Sequence, residues 1–246
     1  SAASDVYKRQ NMARMELFLW DLELFLHIQK ILGDKIILKG GAATQFYLPR
    51  DAQRTSVDID MLFFGTEEEI KKTLRKIEEY LGTEDELFYF HKHSPKNPKT
   101  NLPLHTYYTK VPSVLSNAER NMERESIPYQ ELKIEFILQP EKWEYERRTG
   151  ENIFAVNSSW NYQILPLNYL FADKLTTLGC NTIGVQNERL DEQVKQFYDI
   201  MMLSRNCISE MQCSVVKEKY LKRAEQEWNT RKICLLYTSP SPRDTR

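Results

Sequence analysis

Apolar positions change their period several times along the chain, and each period predicts an element. From Met12 to about Leu32 they recur every three or four residues, which predicts a helix that ends at Gly33. The run Ile36–Leu38 predicts a short buried strand, and Val57–Phe64 alternates apolar with polar residues, as a half-buried strand does. A short helix is expected between these strands, over residues 42–48.

The following third of the chain mixes both patterns. A helix is predicted from the N-cap Thr66 to about Leu81, and strands are predicted over residues 87–91, 104–110 and 132–138. After Trp160 the pattern is helical, and helices are expected over residues 167–178, 190–204 and 209–230. In the helix over 190–204, the side chains predicted to face inward are those of Val194, Phe197, Ile200 and Met201.

Two carboxylates on the second strand form the first candidate site. Asp58 and Asp60 are two residues apart and share one face of the strand, whereas Ile59 and Met61 take the other face. Neighbouring ionised carboxylates repel each other unless a cation lies between them, and such oxygen ligands suit Mg²⁺ together with substrate phosphates. An isolated Asp-x-Asp pair is usually a solvated strand face, but here a dense apolar run follows it directly.

A pair of glycines comes before the carboxylate strand. Gly40 and Gly41 stand between the first strand and the short helix, where backbone N–H groups without side chains can approach a phosphate closely. A lone Gly-Gly is usually only a turn. Its conjunction with Asp58 and Asp60 is what indicates a metal-dependent phosphoryl-transfer site.

The order of these motifs resembles a known superfamily, the nucleotidyltransferases with the DNA polymerase beta-like fold. The residues that carry the resemblance are Gly40-Gly41 followed by Arg54-x-Ser56-x-Asp58-x-Asp60. Within that superfamily the chain is most similar to the AbiEii/AbiGii toxins, the toxin components of abortive-infection toxin–antitoxin systems. Residues 171–178 and 195–200 resemble the two helical motifs of that family, and the resemblance spans about residues 30–205.

The resemblance implies an α+β fold, in which a polymerase beta-like mixed sheet with flanking helices is followed by a helical C-terminal half. It also implies a third metal-binding carboxylate on a later strand, and Glu135 is the best-placed acidic residue for it. The metal ligands would then be Asp58, Asp60 and Glu135. The other interpretation of the strand over 132–138 is an edge strand that alternates charged with apolar residues.

The same resemblance assigns the remaining site residues. The catalytic residues would be Asp58, Asp60, Glu135, Lys174 and Asp199. The nucleotide-binding residues would be Lys39, Gly40, Gly41, Arg54, Ser56, Lys174 and Lys195. Two alternatives stay open: Arg54 either neutralises phosphate or braces its loop, and Lys195 and Asp199, four residues apart, either serve the site or pair with each other.

The implied activity is the Mg²⁺-dependent transfer of NMP from an NTP to an acceptor hydroxyl, with two metal ions in the site. The implied acceptor is RNA, in particular tRNA, and the implied protein partner is a cognate antitoxin. Two other functions remain open. One is a small-molecule, antibiotic-type nucleotidyltransferase, and the other is a catalytically silent member that binds nucleotide or RNA.

The two ends of the chain are expected to be foreign to the protein. Residues 5–10 are encoded by the end of a common tagmentation sequencing adapter, and residues 234–239 by its reverse complement in another frame. Residues 1–10 and 234–246 are therefore set aside as adapter-derived, as in a truncated metagenomic fragment of prokaryotic origin. The expected domains are a nucleotidyltransferase core over 11–160 and a helical region over 161–233.

Composition narrows the class of protein only slightly. The formal net charge is −1, so bulk charge does not indicate nucleic-acid binding, although it is compatible with a local basic groove. Cys180, Cys207 and Cys213 have the spacing of neither a disulfide framework nor a zinc site. No apolar run approaches the length of a membrane span, so a cytoplasmic protein without membrane partners is expected.

The loop from His91 to Lys99 carries several positive charges and two prolines. Its histidines, His91 and His93, lack a third ligand nearby, so a solvated loop is preferred to a metal site. Contact of these charges and the nearby tyrosines with a nucleic acid is the open alternative.

Overall fold

A computed structural model describes residues 2–94, 103–115, 127–154, 156–179 and 190–231. The chain divides between Leu165 and Pro166 into two compact units. Part of the proline-containing loop after Ser94, Cys180 and the C-terminal segment 234–246 lie outside the described residues.

The first unit alternates helices and strands. Its helices are α1 (Ala2–Leu32), α2 (Gly40–Gln45) and α3 (Glu67–Leu81). Its strands are β1 (Ile36–Leu38), β2 (Asp58–Phe63), β3 (His91–Lys92), β4 (Leu104–Pro112), β5 (Tyr129–Leu138), β6 (Glu146–Gly150) and β7 (Ser158–Ile164).

The strands form one mixed sheet in the order β3-β4-β5-β2-β1-β7-β6. β2 lies near the centre, parallel to β5 and antiparallel to β1, and β1 is in turn parallel to β7. The remaining neighbours are antiparallel. A mixed sheet with flanking helices confirms the prediction of an α+β fold.

The two faces of the sheet differ in burial. On one face the side chains of β2 and β5 are fully buried, as at Ile59, Met61, Ile134 and Phe136. Helix α1 packs on this face, since Phe25 stacks on Tyr162 of β7 with ring centroids 6.2 Å apart. On the other face Asp58, Asp60, Lys133 and Glu135 keep part of their surface exposed. This alternation gives the sheet one packed face and one polar face.

Local sequence signals account for the ends of helix α3. The Thr66 side chain accepts from the backbone N–H of Glu69, and the Glu69 carboxylate accepts from the backbone N–H of Thr66. This capping box satisfies two backbone donors that the first turn would otherwise leave free. At the other end Gly82, with φ of +83°, follows the last helical residue Leu81.

Several predicted elements need correction. Of the strand predicted over 87–91, only His91 lies in β3, because Phe88 adopts a positive φ angle that a strand does not allow. No strand is predicted where β6 and β7 lie. In β6, Glu146–Gly150 is polar and lacks a clear alternation. Helix α1 begins at Ala2 and not near Met12.

The second unit is helical. It contains α4 (Leu167–Thr176), α5 (Leu190–Cys207) and α6 (Cys213–Arg231). Pro166 is the N-cap of α4, and its fixed φ and missing N–H suit the start of a helix. None of the described helices of the chain combines the length and the apolar character that crossing a membrane requires.

Candidate active site

The polar face of the sheet brings two predicted site residues side by side. In the parallel pairing of β2 with β5, Asp60 lies opposite Glu135 and Asp58 lies opposite Lys133. Neighbouring strands are about 5 Å apart, so these side chains are neighbours on one surface. The third carboxylate that the resemblance implies therefore does stand beside Asp60.

Asp60 and Glu135 influence each other's ionisation. Loss of hydration among the surrounding side chains, together with the negative charge of Glu135, raises the pKa of Asp60 to about 7, although Lys39 acts against the shift. The contact between the two side chains favours the protonated form of Asp60 and the ionised form of Glu135. Two ionised carboxylates held this close repel each other unless a cation lies between them.

Glu135 is the charged member of this pair. Burial works to raise its pKa, but the Lys133 ammonium and the hydrogen bonds to Glu135 outweigh that effect and lower the pKa. The Lys133 Nζ lies 2.8 Å from Glu135 Oε1, and the Thr106 hydroxyl donates to the same oxygen at 3.3 Å. Sequence reasoning assigned no role to Lys133 or Thr106. The alternation of β5 places Lys133 on the face of Glu135, whereas nothing local indicates Thr106.

Gly40 brings the backbone against the Asp60 carboxylate. Its φ is +69°, and a Cβ placed on it would lie 2.3 Å from Asp60 Oδ2. The preceding residue, Lys39, donates its backbone N–H to the Asp60 carbonyl at 2.8 Å. Only glycine combines this backbone conformation with so close an approach. The Gly-Gly segment thus forms one wall of the space around Asp60.

Gly41 makes a second close approach, to Ser56 and Arg54. A Cβ on Gly41 would lie 2.8 Å from Ser56 Oγ and 3.0 Å from Arg54 Nη2. The backbone N–H of Arg54 donates to Gln45 of α2, and its guanidinium donates to the carbonyl of Thr55. The guanidinium therefore braces its own loop while it stands beside Gly41, and its role in neutralising phosphate stays a prediction.

A further carboxylate, Asp21, lies on helix α1. Its side chain is 1% exposed, and neither carboxylate oxygen has a hydrogen-bond partner among the described residues. Burial raises its pKa well above the usual value, and the charges of Asp58 and Asp60 add to the effect. The sequence held a signal that was overlooked, because Asp21 interrupts the buried apolar stripe of Phe18, Leu22 and Phe25.

In the second unit, Lys174 and Asp199 form a buried ion pair. Lys174 Nζ donates to Asp199 Oδ2 at 2.7 Å and to Gln196 Oε1 at 2.8 Å, and the two charged side chains are 3% and 0% exposed. Asp199 therefore pairs across two helices, with Lys174 of α4.

This pair reverses the predicted orientation of helix α5. Its inward side chains are those of Gln193, Asp199, Leu203 and Cys207, whereas the predicted inward residues Val194, Phe197 and Met201 are 46–64% exposed. Asp199 can pair with Lys174 of α4 only if it lies on the packed face of α5. In this orientation much of the apolar stripe faces outward. The apolar stripe was a misleading signal for the packed face.

The donor chemistry of the Asp60–Glu135 pair fits a divalent cation. Within the described ranges, no three His, Cys, Asp or Glu side chains are arranged as a ready metal cage. Mg²⁺ does not need one, because it binds through one or two carboxylates and fills its shell with water and substrate phosphates. The raised pKa of Asp60 beside Glu135 shows where a positive charge would relieve the repulsion between the two carboxylates. The role of Asp58 as a metal ligand stays a prediction.

Solved structures provide distant matches. JHP933 from Helicobacter pylori aligns at 12% identity with a TM-score of 0.49, over 94% of this chain and 85% of that one. An antigenic nucleotidyltransferase-like protein from Paracoccidioides brasiliensis aligns at 12% identity and a TM-score of 0.42, over 85% and 88% of the two chains. The Megavirus polyadenylate synthase aligns at 10% identity and 0.41, over 87% and 35%. Similarity at this level carries no argument about function.

The match to a protein family covers most of the chain. A search of curated proteins gave no match. The model of the nucleotidyl transferase AbiEii toxins of type IV toxin–antitoxin systems, however, matches residues 24–243, which include most of both compact units. This match confirms the resemblance carried by the Gly-Gly and Asp-x-Asp motifs. The chain therefore belongs to the nucleotidyl transferase AbiEii toxin family and is a nucleotidyltransferase.

Proposed function

We propose that this enzyme transfers NMP from an NTP to a hydroxyl group of RNA, with Mg²⁺, as the toxin of an abortive-infection type toxin–antitoxin system. The observation that carries the proposal is the arrangement around Asp60. Gly40 stands directly against its carboxylate, and Glu135 is its neighbour on the adjacent strand. Nucleotidyl transfer requires two parts: a loop whose backbone can approach a phosphate, and a carboxylate pair that binds a cation.

The donor side of the reaction is assigned to the glycine loop. Gly40 and Gly41 let the Asp60 carboxylate and the Ser56 hydroxyl come directly against the loop. The triphosphate would bind beside these groups, where the Ser56 hydroxyl would donate to its oxygens. Lys39 and Arg54 supply positive charge to the same region. Lys39 is 7% exposed, and its charge acts on Asp60. Positive groups held in a poorly hydrated place stabilise the charge that builds up on the departing pyrophosphate.

The acceptor side is assigned to Asp60 and Glu135. The Asp60 pKa of about 7 belongs to the metal-free site, and a bound cation would ionise the carboxylate. The ionised Asp60 and Glu135 would lie next to the acceptor hydroxyl while Lys133 and Thr106 hold Glu135 in place. Mg²⁺ bound to these carboxylates would neutralise phosphate charge and align the reacting groups.

The roles of Lys174, Lys195 and Asp199 in binding the triphosphate stay predictions. The buried contact of Lys174 with Asp199 gives these two residues a role in holding the helices of the second unit together. The NTP is the proposed small-molecule partner. RNA and a cognate antitoxin are the proposed macromolecular partners, on the basis of the family to which the chain belongs.

The test is transfer of radiolabel from α-labelled NTPs to total tRNA in the presence of Mg²⁺. The wild-type chain is compared with the double variant Asp58→Ala, Asp60→Ala. The matched control is Asp34→Ala, Glu84→Ala, which removes two exposed carboxylates from the same unit without touching the site. We expect label in RNA with the wild type and the control, and none with the site variant.

Other outcomes are equally informative. Label that enters RNA with all three proteins would show that the carboxylates of β2 are not the site. Mg²⁺-dependent NTP binding without label in RNA would point to another acceptor, such as a small molecule, and would reject RNA. A chain that binds no NTP at all would contradict the transferase assignment for this chain.

A further inference from the structure

The polar face of the sheet continues from the carboxylates to its β3 edge, and aromatic side chains lie at that edge. We call Tyr89, His91, His93 and Tyr108 the aromatic edge. Tyr89 lies edge-on to His91 with ring centroids 4.4 Å apart, and His93 lies edge-on to Tyr108 at 5.7 Å. The two histidines are exposed, Tyr89 is 46% exposed, and Tyr108 is half-buried. The edge therefore presents ring surface to solvent.

Strand register connects the aromatic edge to the candidate active site. Residues paired across the strands share one face, and two such rows cross the sheet. They are His91–Tyr108–Lys133–Asp58 and His93–Thr106–Glu135–Asp60. Asp58 and Tyr108 are separated by two strand spacings, or about 10 Å. The alternate residues of β4, Tyr107 and Thr109, are buried on the packed face, so Tyr108 is the tyrosine of this strand that the polar face presents.

We propose that the aromatic edge binds the bases at the 3′ end of a single-stranded RNA acceptor and thereby brings its terminal hydroxyl to Asp60 and Glu135. The proposal rests on the proposed function and names the part of the surface that recognises the acceptor. Bases splayed out of a single strand stack on the rings of Tyr and His, and stacking accepts every base because each has a π-face.

The charges around the aromatic edge favour an RNA strand that is held by stacking of its bases and not by its phosphates. Lys133 lies between Tyr108 and Asp58 in the first row and Lys110 lies one step further along β4, but each is paired with a glutamate. The net positive charge offered to the phosphates is consequently small. Recognition by stacking, with a weak electrostatic contribution, follows from this balance.

The experiment measures binding of a fluorescein-labelled, single-stranded RNA of about twelve nucleotides by anisotropy, without NTP, so that it is independent of catalysis. The variants are Tyr108→Leu, which removes the π-face but keeps the bulk, and Tyr108→Phe, which keeps the ring. The matched control is Tyr80→Leu on helix α3, since Tyr80 is 74% exposed and lies outside the aromatic edge. NTP binding with Mg²⁺ is measured in parallel by calorimetry.

We expect Tyr108→Leu to weaken RNA binding by roughly tenfold, because one stacked base contributes about 1–3 kcal/mol. Tyr108→Phe and Tyr80→Leu should bind within about twofold of the wild type, and all four proteins should bind NTP equally, which also shows that they are folded. Binding by Tyr108→Leu equal to wild type, equal losses in Tyr108→Leu and Tyr108→Phe, or no RNA binding by the wild type would each overturn the proposal.

Failure of the proposed function has a different signature. The wild type would then bind the oligonucleotide through Tyr108 but transfer no label to it or to tRNA. That outcome supports the aromatic edge as an RNA-binding surface and rejects the transfer reaction alone.

Discussion

Gly40 and Asp60 are in such close contact that the Asp60 carboxylate occupies the space a side chain on Gly40 would need. The contact joins the first residue of α2 to the middle of β2, and Gly40 has a φ of +69°. The backbone conformation of Gly40 and the position of the Asp60 carboxylate are therefore fixed together, and a change at either residue is felt at the other.

The first prediction concerns Gly40→Ala. Positive φ alone costs an L-residue about 1–2 kcal/mol, and displacement of Asp60 should add about 1–3 kcal/mol. Gly33→Ala is the matched control, because Gly33 has a φ of +62° and nothing lies within 4 Å of its Cβ position. The loss of unfolding free energy, measured with denaturant for both variants, separates the cost of the positive φ from the cost of the contact with Asp60. Equal losses of unfolding free energy would show that Asp60 moves aside freely.

A second prediction follows from the raised pKa of Asp60. The pKa of Asp60 is about 7 in the folded protein, and about 4 is normal for Asp in an unfolded chain, so the folded state binds this proton more tightly. In the absence of divalent cations, the stabilisation is complete below pH 4 and is lost as the pH rises through 7. Asp60→Asn should flatten the fall in melting temperature between pH 5 and pH 8.

Mg²⁺ supplies the control for that prediction. At pH 8 the cation should raise the melting temperature of the wild type and leave that of Asp60→Asn nearly unchanged, since the amide does not replace the carboxylate as a ligand. Asp34→Asn, at an exposed position, should behave as the wild type does. A wild-type melting temperature that is indifferent to Mg²⁺ would argue against Asp60 as a metal ligand.

The third prediction concerns Asp21, which is buried without a hydrogen-bond partner among the described residues. Its pKa is raised in the folded protein, so its contribution to stability, like that of Asp60, decreases as the pH rises above about 4. Asp21→Asn removes the ionisation, and we expect it to increase the unfolding free energy at pH 8 by more than at pH 4. A variant that is less stable than wild type at both pH values would reveal an undetected requirement for the carboxylate.

The fourth prediction separates structure from catalysis at Lys174. Lys174→Met removes the ammonium group that is paired with the buried Asp199, and breaking a buried ion pair from one side typically costs about 3–5 kcal/mol. The double variant Lys174→Met, Asp199→Leu removes both charges and should recover most of that loss in denaturant unfolding. The contact of Lys174 with Gln196 is lost in both variants, so it does not confuse the comparison.

Nucleotidyl transfer by the same proteins completes the test. A double variant with restored stability but no transfer would assign Lys174 or Asp199 to the reaction. A double variant with restored stability and normal transfer would leave the pair with its structural role only.

Local signals predicted much of the first unit. Ile36–Leu38 was predicted with the bounds it has in the structure, Thr66 caps its helix as predicted, and Asp58 and Asp60 share the polar face. Each of these features depends on residues within a few positions in the chain. Strand and cap preferences act at that range, so sequence alone was sufficient.

Features that depend on distant partners were harder to predict. The position of Glu135 opposite Asp60 depends on the register of two strands that are far apart in the sequence. The orientation of α5 depends on Lys174 in another helix, and its apolar stripe indicated the wrong face. Asp21 breaks an otherwise apolar stripe, yet its burial becomes clear only when the helix is placed on the sheet.

The parallel pairing of β2 and β5 also sets the order of events during synthesis. Asp60 and Glu135 become neighbours only when these two strands join, and helix α3 and strands β3 and β4 lie between them in the chain. Pairing of distant segments is a slow step, since a long loop must close before its contacts form. A nascent chain that has not yet delivered β5 from the ribosome thus lacks the carboxylate pair, so the proposed toxicity would be withheld until the centre of the sheet is closed.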